Sequence, residues 1–485
     1  LPVSWARRMC IRDRVNIVLL HKNLRISDNS ALYHGCNADK SLIIYAYDKD
    51  YWSNNGRSAR QFQFCLDCLG ELDEKLNKLN RDLFIFEGDL NELALWIDKN
   101  FPQSKIFLNQ STDIHYHRNL KAKFISKFED SGRLYEFEDF GIQTKNHNRD
   151  DWSSNWHRIM TQKILPPPQI NHSSKIKPKD LLDFKAFKKK QSLVDPKNNS
   201  FQLGGEDKAK KLLSSFLEKR LDGYSIKMSS PVEAEHSCSR LSPHISFGTI
   251  SLRTIFQEVQ KSTNSSLFRK DLYSFKKRLH WHCHFIQKLE TEPELEFKSM
   301  HPMCDSLREE ENDELIEKWI AGETGFPFLD ACMVFLKEKG WINFRMRAMI
   351  MSFASYNLWQ PWQKTSPRLA ELFVDYEPGI HICQVQMQSG VTGINLPRIY
   401  SVLKQSSDQD PSAMWIKDQI NSLKNIEPKN IHEAELNEIY HEKIVDLKAS
   451  AKKARETIWS VRKGSDFKKM AKDVYLKHGS RLRRA

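Results

Sequence analysis

Two arginines, Arg345 and Arg347, stand in a segment that is otherwise apolar, among Phe344, Met346, Met349, Ile350, Met351 and Phe353. A helix apolar on most sides is buried, and a buried guanidinium needs an anion. Something negative is therefore expected against this helix. Two other constellations invite a metal reading. In His280-Trp281-His282-Cys283-His284-Phe285, positions 280 and 284 share a helical face at the spacing zinc sites use, while 282 and 283 point elsewhere. No second ligand cluster is evident nearby, and Cys65-x-x-Cys68 lacks a partner pair, so neither predicts a metal. The spacing of Cys304, Cys332 and Cys383 does not suggest an iron–sulfur cluster either.

The elements that must position the arginines are legible. After the turn Gly322-Glu323-Thr324-Gly325, Pro327 opens a helix with apolar residues at 328, 329, 332, 333 and 336, which Gly340 closes. A second helix runs from Trp341 towards Trp359. Further back, short apolar runs (VNIVLL from Val15, then runs from Leu42, Leu83, Lys105 and Leu134) alternate with helix-like segments at 59–79 and 115–128. That alternation predicts a doubly wound parallel α/β domain over residues 15–145. His21 to Asn29 follows the first strand where a Gly-rich phosphate loop would stand, so an ordinary dinucleotide fingerprint is absent. Residues 146–203 read as a polar interdomain connector, with a lysine cluster at 188–190 taken as a solvated face. Residues 204–485 read as helical throughout, ending in a basic helix taken as solvated. Residues 1–14 join no pattern and are read as non-native or disordered.

Composition narrows the class. The chain has 485 residues, a hydrophobic fraction of 40% and a formal charge of +13, which together favour a globular protein with a polyanionic partner, nucleic acid being the commonest. No apolar run is long enough to span a membrane. An odd count of nine scattered cysteines suits reduced thiols and a cytoplasmic location.

Read together, Ser239-Arg240-Leu241-Ser242, the stretch from Gly322 to Met333, the stretch from Trp341 to Met349 and Asn23 to Leu32 resemble the photolyase and cryptochrome flavoproteins over about residues 15–480. The chain is identified as a divergent member, of a bacterial subgroup. The resemblance implies an α/β domain followed by a helical FAD-binding domain, FAD as cofactor, and a second, antenna chromophore of unread identity. It also carries residues over. Ser239, Arg240, Leu241 and Ser242, preceded by Cys238 where the family has threonine, match the loop that binds the FAD phosphates, and Tyr224 matches a phosphate-contacting tyrosine. Outside the family context Ser239 to Pro243 would be a helix cap and proline turn. Arg347 and Asp375 match an ion pair beside the flavin, Arg345 a further family arginine, and His381 the residue facing flavin N5, where an imidazole is expected to donate or to supply a proton. A shift of one residue in the match would instead make His381 a core histidine.

On the substrate side Trp281 matches the tryptophan that stacks on the lesion. Arg278 stands where dimer-repair enzymes carry glutamate, and Ala348 where they carry methionine. Trp362 matches one member of the tryptophan relay that reduces the flavin, but Val385 and Glu309 replace the other two. The residues expected to carry chemistry are thus Trp281, Arg278, His381 and Trp362. The resulting expectation is a blue-light-driven DNA photolyase that splits pyrimidine dimers in UV-damaged DNA by electron transfer from reduced FAD, acting as a monomer. Cyclobutane dimers are expected rather than 6-4 products, because Phe344 and Ala348 occupy the places of the two 6-4 histidines. A cryptochrome-like photoreceptor without repair is the alternative, and a nucleic-acid binder that has lost flavin the third reading.

Overall fold

The computed structural model describes residues 15–37, 40–144, 148–172, 175–191, 201–262, 267–436 and 439–480. The reading of residues 1–14 lies outside them. Contacts divide the chain into two compact units: residues 1–146, 151–215 and 241–265 form the first, and 147–150, 216–240 and 266–485 the second.

The first unit is built on a six-stranded sheet ordered β5-β4-β1-β2-β3-β6, with β1 Val15–Leu20, β2 Lys40–Tyr47, β3 Leu83–Glu87, β4 Lys105–Asn109, β5 Leu134–Phe137 and β6 Leu182–Asp183. The five strands expected from apolar runs are all present and parallel to their neighbours. Helices α1 Ser30–Gly35, α2 Ala59–Lys78, α3 Leu90–Asn100 and α4 His115–Glu129 connect them. Burial explains the runs: β1 is buried at five of its six positions, as a central parallel strand covered on both faces must be, whereas edge strand β5 has none fully buried. The sixth strand was not expected. It is two residues long and antiparallel, pairing Ile85 with Leu182 and Phe84 with Asp183, and nothing so short carries a periodicity.

The strand order reverses between β1 and β4, where doubly wound sheets bind ligands. Here that point is filled by side chains. Asp113 accepts from Tyr51 Oη at 2.9 Å, meets His21 Nε2 at 2.8 Å and Lys22 Nζ at 3.4 Å, and pairs with Arg57. His21 stacks on His117 with centroids 3.9 Å apart. The cavity left among them is about 30 Å³. The loop after β1 is architectural: Arg25 donates to the carbonyl of Gly248 at 2.9 Å and to Asp139 at 2.6 Å, and Asp28 accepts from Ser251 and Arg253. Gly248, at φ +64°, lies so close that a Cβ there would sit 2.0 Å from the carbonyl oxygen of Lys22.

The second unit is helical. Its central elements are α5 Arg269–Thr291, α6 Pro327–Lys339, α7 Phe344–Ser352, α8 Trp362–Ala370 and α9 Pro378–Gln388. As expected, α6 has proline in its first turn and ends at Gly340 in the left-handed region. The following helix is shorter than expected: after Ser352 it loosens into a π-helical turn, Phe353–Asn357, and Trp359 has φ 58°. Helices α5 and α9 pack closely because Gly379 has no Cβ; one there would stand 2.6 Å from the Cα of Ile286. Two basic helices, α10 Leu447–Arg462 and α11 Ser465–His478, complete the unit. Among the described residues no helix is long and apolar enough to cross a membrane, and no group of three His, Cys, Asp or Glu side chains is placed to hold a metal ion.

Candidate functional site

Arg347 of α7 meets the anion its surroundings demanded. Arg347 donates to both carboxylate oxygens of Asp375, at 3.1 and 2.8 Å, and its Nε donates to the carbonyl of Ile342 at 2.7 Å. The Phe373 ring lies 4.1 Å from the guanidinium. The Asp375 side chain is 3% exposed and that of Arg347 28%, so the carboxylate is buried and the guanidinium only partly so. Such a bidentate pair has fixed geometry. Arg345 is half-buried, and its Nε is enclosed without a hydrogen-bond partner among the described residues, as is Oδ1 of Asn343.

His381 opens towards this pair from α9. Its ring lies edge-on to Tyr376 and Phe373, and Nε2 is 2.9 Å from the carbonyl oxygen of Ser366. A carbonyl only accepts, so Nε2 carries the hydrogen and Nδ1 is left as an acceptor in the neutral ring. Burial pushes the pKa of His381 down to about 4, against an opposing contribution from the Ser366 carbonyl. The imidazole is therefore held neutral near pH 7. The sign for stability follows. Unfolded His381 takes up a proton below pH 6.5 while the folded group resists until about 4, so stability falls as pH drops through that window. The loss is of order 3 kcal/mol by pH 4. Thermal melts at pH 7 and pH 4.5 should show a smaller acid-induced fall in Tm for His381→Gln than for the wild type.

The matched phosphate loop is divided. Tyr224 begins the single turn Tyr224–Lys227 after Gly223, and its buried hydroxyl is hydrogen-bonded to Arg278. Arg220, which sequence reasoning missed, donates to the carbonyls of Cys238 and Ser239. Arg240 has φ 59°, stacks 4.0 Å over Trp341 and pairs with Glu235 at 3.5 Å. Burial pushes the Cys238 thiol up to about 11, opposed by Arg240, Arg220, Arg278 and Arg347 in that order, so four guanidinium groups converge on this region of the second unit. Leu241 and Ser242 belong to the first unit: Leu241 is buried, and Ser242 opens the short helix Ser242–Ser246. Trp341, Phe373 and Ser366 were also missed; only Trp341, directly after the helix-closing glycine, carried any signal.

On α5, Trp281 is half-buried against His284 and Phe285, with ring centroids 5.0 and 5.5 Å away. His284 takes a hydrogen bond from Arg149, and burial holds its pKa at about 2. Trp362 stands apart from these groups in its contacts, buried with Nε1 donating to Ser299 Oγ at 3.1 Å. Val385 is buried and Glu309 exposed, so neither offers a redox-active ring.

These residues fit a bound flavin dinucleotide: four guanidinium groups surround the Cys238 region, and Arg345 Nε and Asn343 Oδ1 are enclosed polar atoms without partners among the described residues, which a ligand would satisfy. Arg220, Arg240, Tyr224 and Ser239 would hold its phosphates, and Arg347, Asp375 and His381 its ring.

Two family models match the chain, the DNA photolyase domain over residues 16–137 and the FAD binding domain of DNA photolyase over residues 275–460. The deoxyribodipyrimidine photo-lyase of Buchnera aphidicola subsp. Acyrthosiphon pisum (strain APS) is 25% identical over 437 residues, covering 86% of this chain and 90% of its own. Cryptochrome-2 of Gallus gallus is 23% identical over 447 residues, 85% of this chain and 75% of its own. A bacterial class III photolyase from Agrobacterium tumefaciens superposes with a TM-score of 0.80 at 23% identity, over 93% of this chain and 98% of the other. The chain belongs to the photolyase and cryptochrome family, with that family's FAD-binding domain over residues 275–460.

Proposed function

We propose that this protein is a DNA photolyase that splits UV-induced pyrimidine dimers, cyclobutane dimers in preference to 6-4 products. FAD, when bound in its reduced form, would supply light-driven donation of an electron to the dimer and its return, with no net oxidant or reductant consumed. The chain's own part is to bind and orient. Trp281 offers a π-face to a base flipped out of the helix, which is worth ~1–3 kcal/mol. Arg278 adds a cation with no carboxylate partner, and the excess of positive charge favours the DNA backbone. Arg347 and Asp375 fix a dipole beside the ring, and Nδ1 of His381 offers it an acceptor.

The observation that carries this reading is the half-exposed Trp281 one helical turn from Arg278, an exposed guanidinium with no carboxylate partner among the described residues, because a receptor that binds no base needs neither. A second reading, a photoreceptor without repair, is favoured by Val385 and Glu309 in the electron path. Blue-light illumination of flavin-replete, reduced protein with oligonucleotides carrying one defined lesion separates the two. Restored pyrimidines are expected from the cyclobutane dimer; restoration of neither lesion sinks the enzyme. The same reading proposes a monomer in the cytoplasm.

A further inference from the structure

Arg278 is an exposed guanidinium on α5 whose direct contacts among the described residues are uncharged: the Tyr224 hydroxyl, Met228 Sδ at 3.9 Å from one terminal nitrogen, and the Phe344 ring with its centroid 5.6 Å from the guanidinium carbon. The acids of its surroundings are engaged elsewhere. Asp271 accepts from the backbone N–H of Gly223 and Ser225, Asp375 from Arg347, and Glu235 pairs with Arg240. Phe344 is itself conspicuous, 48% exposed on a helix whose other apolar side chains are buried. Together with Trp281, one turn along α5, these side chains offer π-faces and N–H donors. They offer no carboxylate to accept.

That asymmetry selects among pyrimidines. A guanidinium has five N–H donors and no acceptor. Thymine presents N3–H, a donor, between its two carbonyls, and a guanidinium facing that edge leaves N3–H opposed by another donor. Cytosine presents N3 and O2 as adjacent acceptors, which match the parallel N–H pair of a guanidinium fork. We infer that the site prefers cytosine-containing cyclobutane dimers, with Arg278 donating to N3 and O2 of the cytosine and Phe344 supplying a second apolar wall. This rests on the repair reading above and names its substrate class.

The test is dark binding, with flavin-replete protein, to oligonucleotides carrying a single thymine–thymine dimer, a single cytosine–thymine dimer, or no lesion, the cytosine amino group being verified by mass spectrometry after each assay. The wild type is expected to bind the cytosine-containing dimer about tenfold more tightly than the thymine dimer, the scale of one good bidentate base contact. Arg278→Glu, which accepts where arginine donates, should reverse the order, and Arg278→Gln, which can do either, should level it. Far-UV circular dichroism and the urea midpoint report that both variants fold, and binding is compared at equal FAD occupancy. Equal binding of the two dimers by the wild type, or a preference that survives Arg278→Glu, overturns the inference while leaving repair intact. Loss of FAD from Arg278→Gln overturns it too, by placing the guanidinium on the cofactor. If neither dimer is bound more tightly than undamaged DNA, the inference and the repair reading fall together.

Discussion

Arg347→Leu is expected to cost about 3–5 kcal/mol and to leave the purified protein largely free of flavin, whereas Asp375→Leu should cost markedly less. The asymmetry comes from burial. Both oxygens of Asp375 accept from Arg347, and the carboxylate side chain is 3% exposed, so removing the arginine takes a bidentate donor from a charge that water scarcely reaches. Arg347 is 28% exposed and retains the Ile342 carbonyl and the face of Phe373 when the aspartate is lost. The leucine in place of Arg347 would also forfeit that ring contact. Urea denaturation midpoints for both single variants and the double variant, with FAD content measured on each, give the coupling directly. Equal losses from the two single changes would mean that the carboxylate is better solvated than its surroundings indicate. If Arg347→Leu retained full flavin, the pair would be structural and its place beside the ring would be wrong.

Much of this arrangement was legible because it depends on local pattern. Five parallel strands showed as apolar runs, since a strand covered on both faces has no alternation to hide it, and Pro327 and Gly340 bounded their helix by backbone chemistry alone. What failed to show depends on what folding brings together. The edge strand Leu182–Asp183 exists only because β3 offers it an open edge. The anion beside Arg347 was demanded by composition, but which carboxylate, 28 residues away, came only through family resemblance. The surroundings of His381 were hidden for the same reason: the Ser366 carbonyl that fixes its tautomer and the burial that lowers its pKa are facts of packing. Arg220 carried no pattern at all, since it lies in a π-helical turn, Phe216–Arg220, and acts on two backbone carbonyls.

The turn from Gly322 to Gly325 shows the same point from the other side, because one side chain explains it. Asp330 is fully buried in the first turn of α6 and accepts from the Thr324 N–H at 2.9 Å, the Thr324 hydroxyl at 2.6 Å, the Gly325 N–H at 3.2 Å and the Tyr440 hydroxyl at 3.0 Å. Burial pushes its carboxyl up while these donors oppose it. Asp330→Ala would leave two backbone N–H groups and two hydroxyls without their acceptor and remove the acidic residue from the helix N-terminus. The expected loss is about 3–5 kcal/mol, at the upper end for a single substitution. Asp330→Asn should lose less but not recover the wild type, because its amide nitrogen must oppose one pair of donors. Both variants should lower the unfolding midpoint of the helical unit, read by far-UV circular dichroism in urea. They should also release FAD at lower urea than the wild type, since α6 packs on α7, which carries Arg345 and Arg347. An Asp330→Asn variant as stable as the wild type would mean that hydrogen-bond geometry alone, without the charge, holds the turn, and that the carboxyl is already protonated at neutral pH.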